Sequence, residues 1–212
     1  MAALDLQEQE QLDTLKAWWK ENGNRLLGVL LIAVVAMGGW RGWQYYQNKQ
    51  SSEAATLYAG FLQQLESKDA KRVNDAAAAV MDKYAATGYA ARAALLAAQV
   101  NEQGKDVVRA RTQLQWVIDH AAEAGLKDVA RLRLAAVLLD EKNYADAMKL
   151  LEAKHPASFD GLYADLKGDV LSVQGKTDEA RSAYKLAYEK TDAKSMYRNL
   201  IQMKLDALAT NK

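Results

Sequence analysis

Fifteen consecutive residues, Leu26 to Trp40, carry no charge. A run of that kind belongs in lipid, in the middle of a large core, or in a signal sequence that is later removed. Alone it is short, since crossing roughly 30 Å of hydrocarbon takes about 20 helical residues. Its flanks supply the rest. Trp18 and Trp19 precede the run, Trp40 and Trp43 close it, and Tyr45 and Tyr46 follow. Indole and phenol rings favour the headgroup level, where the ring body is apolar and the N–H or O–H is wet. The step of 21 residues from Trp19 to Trp40 is about 31 Å of helix at 1.5 Å per residue. Arg25 and Arg41 then stand near the two edges, where long side chains snorkel to phosphate.

A cleaved signal is the competing reading, and Ala36-Met37-Gly38 is a passable cleavage site for it. Against it, the preceding segment carries five acids (Asp5, Glu8, Glu10, Asp13, Glu21), and helical patterning continues past the cut. A retained anchor is therefore expected. Lys16, Lys20 and Arg25 precede the span, while Arg41 and Lys49 follow it. That bias favours a short amino-terminal tail inside and the large carboxy-terminal part outside. Gly28, Gly38, Gly39 and Gly42 either admit a second helix or simply face lipid.

From Glu53 onward the periodicity is helical throughout, with no alternating Val, Ile and Thr of a strand. Alanine and leucine are abundant and proline occurs once, a balance that favours helix. Turn clusters near 66–71, 86–88, 102–106, 122–128, 140–143, 154–160, 174–178 and 190–193 divide the region into helices of about 12 to 16 residues. Such short helices must pair to bury their apolar stripes.

The pieces repeat. Gly168, Leu171, turn Gly175, Ala180, Tyr184 and Ala187 follow the small-and-bulky order of a tetratricopeptide helix pair. Shifted back by 33 residues, Leu134, Ala135, Leu138, Tyr144, Ala147 and Leu151 take the same slots. A looser copy holds Leu96, Ala97, Val100, Gly104, Ala110, Leu114 and Val117. The earliest pair lies at roughly 53–85, and the last helix is expected to cap the stack. The fold class is all-α: an amino-terminal transmembrane helix, then a tetratricopeptide-like α-solenoid. An irregular helical bundle is the alternative. The expected domains are a tail over 1–24, a span over 25–46 and the repeat domain over 47–212.

Residues suited to catalysis or metal binding are sparse. His120 and His155 lack partners at ligand spacing, and there is no cysteine. Asp165 and Asp169 are one turn apart, an arrangement that most often marks a solvated face. Gly175-Lys176-Thr177 lacks the upstream glycine of a phosphate loop and reads as a turn into a helix N-cap. Trp116 sits in an apolar stripe and is expected in the core. A net charge of +1 gives no support for nucleic-acid binding. The chain is expected to need no cofactor and to be no enzyme. A helical-repeat groove for a protein segment, tethered to a membrane, is the function its patterns favour.

The segments 16–47, 131–151, 164–187 and 200–208 together resemble the YfgM family, the ancillary subunits of the SecYEG translocon. The resemblance covers nearly the whole chain. It implies a single-span inner-membrane protein of a Gram-negative bacterium, with a cytoplasmic amino terminus and a periplasmic tetratricopeptide-like domain. It implies as partners the SecYEG translocon, the lipid bilayer and the membrane-anchored periplasmic chaperone PpiD, with a role in passing exported proteins to periplasmic chaperones. It also implies an alternative role, negative control of a cytoplasmic response regulator of the Rcs envelope-stress system through the tail. No catalytic motif comes with the resemblance.

Overall fold

The computed structural model describes residues 2–67 and 69–210, and side chains over 8–67 and 69–209. Met1, Lys68, Asn211 and Lys212, which the expected domains include, lie outside the described residues. Among the described residues the chain is all helix, with no strand. It divides into two compact units, Met1–Gln50 and Ser51–Lys212.

Helix α1 runs Ala2–Glu66, and its part up to Gln50 makes up the first unit. Within it an 18-residue window has a mean hydropathy of 1.7 and is 0% buried, long and apolar enough to cross a membrane. Val29, Leu30, Leu31, Ile32, Val34, Val35 and Met37 point around the full circumference and are all exposed. An apolar ring of that kind has no favourable contact with water. Inside a helix the backbone N–H and C=O groups pair with one another, as lipid requires.

The second unit is a series of helix pairs. The end of α1 pairs with α2 (Ala70–Tyr84): Phe61 shares a core with Val73, Ala77 and Val80, and with Ala90, Ala93 and Ala97 of α3. The next pairs are α3 (Gly88–Gln103) with α4 (Val107–His120), α5 (Ala124–Asp140) with α6 (Tyr144–Leu151), and α7 (Asp160–Val173) with α8 (Thr177–Lys190). A 3₁₀ turn, Ala157–Phe159, precedes α7, and α9 (Tyr197–Thr210) closes the stack. Ile201 and Leu208 of α9 share a core with Leu171, Ala180, Tyr184 and Ala187. The first helices touch directly, α3 with α5 and α5 with α7, through small residues such as Ala91, Ala94, Ala98 and Ala135.

The turns inside the pairs share one geometry. Lys105, Lys142 and Gly175 all have positive φ (61°, 62° and 75°). Beyond each, an amide reaches back five residues: Asp106 N to Asn101 O at 2.8 Å, Asn143 N to Leu138 O at 2.8 Å, and Lys176 N to Leu171 O at 3.0 Å. This is the Schellman ending, which favours glycine in the left-handed slot. The following helix is capped by Asp106 or by Asn143, whose side chains accept from Arg109 N and Asp146 N. In the last pair Lys176 holds the cap slot and its side chain makes no cap bond, so the turn arrives there without the expected polar cap.

The expected shift of 33 residues holds between the last two turns, while the starts of the first helices are more widely spaced. Successive first helices begin at Gly88, Ala124 and Asp160, 36 residues apart. The left-handed turn residues are 37 and then 33 apart. The difference arises because α7 has 14 residues and α5 has 17, so the last turn comes early. The expected helix length also fails at α6, which has only 8 residues. Pro156 sets an upper limit: its ring disfavours helical backbone at His155, so a helix as long as α4 cannot start at Tyr144. The chain instead leaves α6 through Glu152–Pro156, with His155 stacked on Tyr163 at 3.8 Å between ring centres.

Candidate functional site

A groove runs beside the short α6. α2, α4 and α8 have 15, 14 and 14 residues, so α6 lacks about two turns that its counterparts have. A groove of about 710 Å³ lies between α4 and α6. One wall is the α4 face of Val108, Arg111, Thr112, Gln115, Trp116 and Asp119, residues three or four apart and so on one side of the helix. The floor is Leu134 and Leu138 of α5, and the second wall ends at Leu150 of α6.

Trp116 packs against two buried clusters, as its apolar surroundings suggested, and its remaining face lines this groove. Its indole stacks on His120 at 4.6 Å and 11°, and His120 Nδ1 lies 2.9 Å from Trp116 O. The charged groups of the rim are already paired. Arg111 Nη1 bonds Glu141 Oε2 at 3.0 Å, Lys149 Nζ bonds Asp146 Oδ1 at 3.0 Å, and Gln115 donates to Asp119 at 3.0 Å. Hydrogen bonds from Lys149 and then Asn143 hold the Asp146 carboxyl below the usual carboxylate range.

Asp165 and Asp169 do not form a solvated face. Asp165 is 2% exposed. Its Oδ2 accepts from Tyr197 Oη and from Lys204 Nζ, the latter at 2.8 Å, while Lys204 also reaches Asp169 at 2.8 Å. Tyr184 Oη donates to Asp169 at 2.7 Å. Burial, and then the hydrogen bonds to these carboxylates, raise the Tyr184 and Tyr197 phenols above their ordinary value. Two carboxylates held by one lysine and two tyrosines tie α9 to α7 and α8. Asp128 of α5, 1% exposed, is held in the same manner by Arg131 at 2.7 Å and Tyr163 Oη at 2.9 Å. Burial and the Asp128 bond push the Tyr163 phenol up to about 12. A third buried polar group joins three helices: Asn101 donates to Asn74 and Gln113, and Gln113 donates back to Asn74. Every one of these arrangements is a helix-to-helix tie, and among the described residues no cluster of three or more His, Asp or Glu is placed to hold a metal ion.

The other residues singled out by sequence fall in two places. Leu134, Ala135, Leu138, Ala147, Leu151, Leu171, Ala180, Tyr184 and Ala187 are buried between helices, Tyr144 is half buried, and Gly175 is an exposed turn. A Cβ on Gly168 would sit 2.5 Å from the Tyr184 ring, so that glycine is what lets α7 and α8 approach. In the first unit Trp18, Trp19, Arg25, Trp40, Arg41, Trp43, Tyr45 and Tyr46 are all exposed, with the Trp40 and Trp43 rings 5.6 Å apart. The Trp19 indole covers Gly23.

The geometry thus gives an exposed apolar helix and a stack of helix pairs with an open groove. The tetratricopeptide repeat-like domain family matches residues 16–210, so one family pattern takes in both the apolar segment and the repeats. An ancillary SecYEG translocon subunit of Neisseria gonorrhoeae is 33% identical over 207 residues, covering 97% of this chain and 99% of its own length. Proteins with the same description from Escherichia coli and Haemophilus influenzae are 29% and 26% identical, across 97% and 100% of their lengths. The chain belongs to this family of ancillary SecYEG translocon subunits. The family's match begins at Lys16, ahead of Trp18 and Trp19, and reaches Thr210 at the end of α9. The closing helix and the tryptophan-bounded helix are accordingly part of the family pattern and not appendages to it.

Proposed function

We propose that this chain is a non-catalytic adaptor of the SecYEG translocon, held in the bacterial inner membrane by the tryptophan-bounded span of α1. In this reading residues 1–24 lie in the cytoplasm, 25–46 cross the bilayer and 47–212 work in the periplasm. Trp18, Trp19, Arg25, Trp40, Arg41, Trp43, Tyr45 and Tyr46 set the depth of the helix. The repeat domain contacts partner proteins, among them a membrane-anchored chaperone of the PpiD kind, and passes emerging chains toward it. The observation that carries the reading is likeness to ancillary SecYEG subunits along 97% of the chain. The fully exposed apolar circumference of α1 supports the membrane part.

The test is photocrosslinking of the full-length chain in native inner membranes. A photoreactive residue replaces Val34 in the span or Arg92 on α3. Adducts with translocon subunits from either site are expected. A fully inserted chain that yields none from both would refute the adaptor reading. A second reading has one observation behind it. Leu12 and Leu15 are exposed on the helical tail, beside an acidic surface, as a docking edge for a cytoplasmic response regulator would be. Deleting residues 1–20 separates the two: the adaptor keeps its translocon adducts and the regulator loses its effect.

A further inference from the structure

All the sulfur of this chain is in methionine: the sequence has six methionines and no cysteine. A thioether normally serves a fold by filling gaps in a core. Met81 and Met148 do so, half buried against the clusters of the repeat unit. Met37 lies in the uncharged run of α1. Met196 and Met203 do the opposite, at 87% and 62% exposure. Met196 opens the first turn of α9, its carbonyl accepting from Asn199 N at 3.1 Å, and Met203 stands in the middle of that helix. The spacing of seven residues, with exposed Leu200 between, puts both sulfurs on one side of α9. The helix is held along its other side. Ile201 and Leu208 are buried, Lys204 bridges Asp165 and Asp169, and Arg181 donates to Leu208 O at 3.2 Å. None of these contacts involves either sulfur, so chemistry at the two thioethers alters the outer side of α9 and leaves its fastening alone.

We propose that Met196 and Met203 form a paired, reversible modification site, converted to methionine sulfoxide by two-electron oxidants such as hypochlorous acid and restored by a thiol-dependent reductase. The forward step is an oxygen transfer. A sulfur lone pair attacks the oxygen of hypochlorous acid and forms the S–O bond. The O–Cl bond breaks, its electron pair leaves with chloride, and the hydroxyl proton goes to water. Sulfur loses two electrons and chlorine gains them. In the return step a dithiol supplies two electrons and two protons, the oxygen leaves as water, and the dithiol becomes a disulfide. The chain has no thiol, so it neither diverts the oxidant from the thioethers nor repairs them itself, and the reductant is another molecule. The result is a change of polarity. Each sulfoxide puts a polar, hydrogen-bond-accepting group where an apolar side chain faced water, and only Leu200 of the stripe stays apolar. The two sulfurs thus set how apolar the outer side of the closing helix is. The proposal stands apart from the translocon reading, because it follows from side-chain exposure alone and its test contains no translocon.

The test treats the full chain in lipid nanodiscs with limiting hypochlorous acid, quenches with free methionine and maps the added oxygens by mass spectrometry. Trypsin separates the two sulfurs, because cleavage after Lys194, Arg198 and Lys204 leaves one in 195–198 and the other in 199–204. Both are expected to be oxidised at least about tenfold faster than Met81 and Met148, as exposure dictates. Deuterium exchange of α9 amides in the oxidised chain is expected to stay within about twofold of the untreated chain. A methionine sulfoxide reductase with dithiothreitol is expected to restore the original mass. Met196→Leu combined with Met203→Leu keeps the stripe apolar and is expected to take up two oxygens fewer, with unchanged exchange in α9. Oxidation of Met196 and Met203 no faster than that of Met148 would overturn the proposal. So would loss of α9 protection on oxidation, which would make the sulfurs part of the fastening, and so would a product that the reductase leaves oxidised.

Discussion

Lys204 offers the sharpest test of how α9 is held. Its ammonium group lies 2.8 Å from Asp165 and 2.8 Å from Asp169, on a side chain only 23% exposed. Lys204→Met keeps most of the apolar stem and removes the charge. Asp165, at 2% exposure, is then left with Tyr197 as a neutral donor and with a second carboxylate nearby. Breaking a buried pair in this way costs about 3–5 kcal/mol. Asp169 is only half buried and regains some water, so the expected cost is at the lower end, about 3 kcal/mol. If it falls on α9 alone, amides of α9 exchange with deuterium roughly 150-fold faster, at 1.36 kcal/mol per decade, while those of α3–α5 are unchanged. Exchange followed by mass spectrometry of the full chain resolves this. A double cycle with Asp165→Asn is expected to show coupling above about 1 kcal/mol, because the two groups are in direct contact. An effect of less than about 1 kcal/mol, the range of an exposed ion pair, would refute the argument that this network clamps α9.

Other outcomes follow from single residues. Gly168→Ala places a methyl 2.5 Å from the Tyr184 ring and should cost about 1–3 kcal/mol in urea denaturation, as overpacking does. Lys176→Asp supplies the side-chain cap that the last pair lacks and should add about 1 kcal/mol by the same measurement. Tyr163 has a folded-state pKa raised from 10.0 to about 12, so its neutral phenol favours the fold. Its contribution is complete below pH 10 and is lost as pH rises towards 12, roughly 2–3 kcal/mol by linkage. Denaturation of the wild type should therefore weaken more over that interval than that of Tyr163→Phe. Val34→Lys puts a charge in the middle of the apolar run at about 2.5–3.5 kcal/mol, and carbonate extraction should release more of that variant than of the wild type.

Much of the second unit was legible because its helix ends obey local rules. "EQGKD" and "DEKN" end in the left-handed turns at Lys105 and Lys142, and the cap residues Asp106 and Asn143 follow directly. Alanines spaced at helical intervals announced the close approach of α3 and α5. The errors have equally local causes. Asp165 and Asp169 look solvated one turn apart, and nothing nearby signals that Lys204, 35 residues beyond Asp169, folds back between them. Trp116 packs on two buried clusters as its apolar stripe suggested, but that it also borders a groove depends on elements distant in sequence, Leu134 and Leu138 of α5 and Leu150 of α6. The limit on α6 was nonetheless readable: Pro156 lies five residues after Leu151 and forbids a second helix of full length.

One proline limits how far the second helix of the α5–α6 pair can run. The first helices pack through alanine and lie in direct contact, which leaves no room for a ligand among α3, α5 and α7 where those small residues meet. The second helices carry the bulky residues and stand apart, and regular length alone would let each shield its neighbour. Beside α6 the partly buried Trp116 indole and the exposed Val108 border a groove whose floor leucines, Leu134 and Leu138, stay buried. Replacing Pro156 by alanine does not restore the missing turns by itself, because His155 stacked on Tyr163 and paired with Asp160 at 3.4 Å holds the departing chain against α7. The end of α6 is therefore fixed from two sides, by a proline that helix cannot pass and by a ring contact that holds the departing chain on α7.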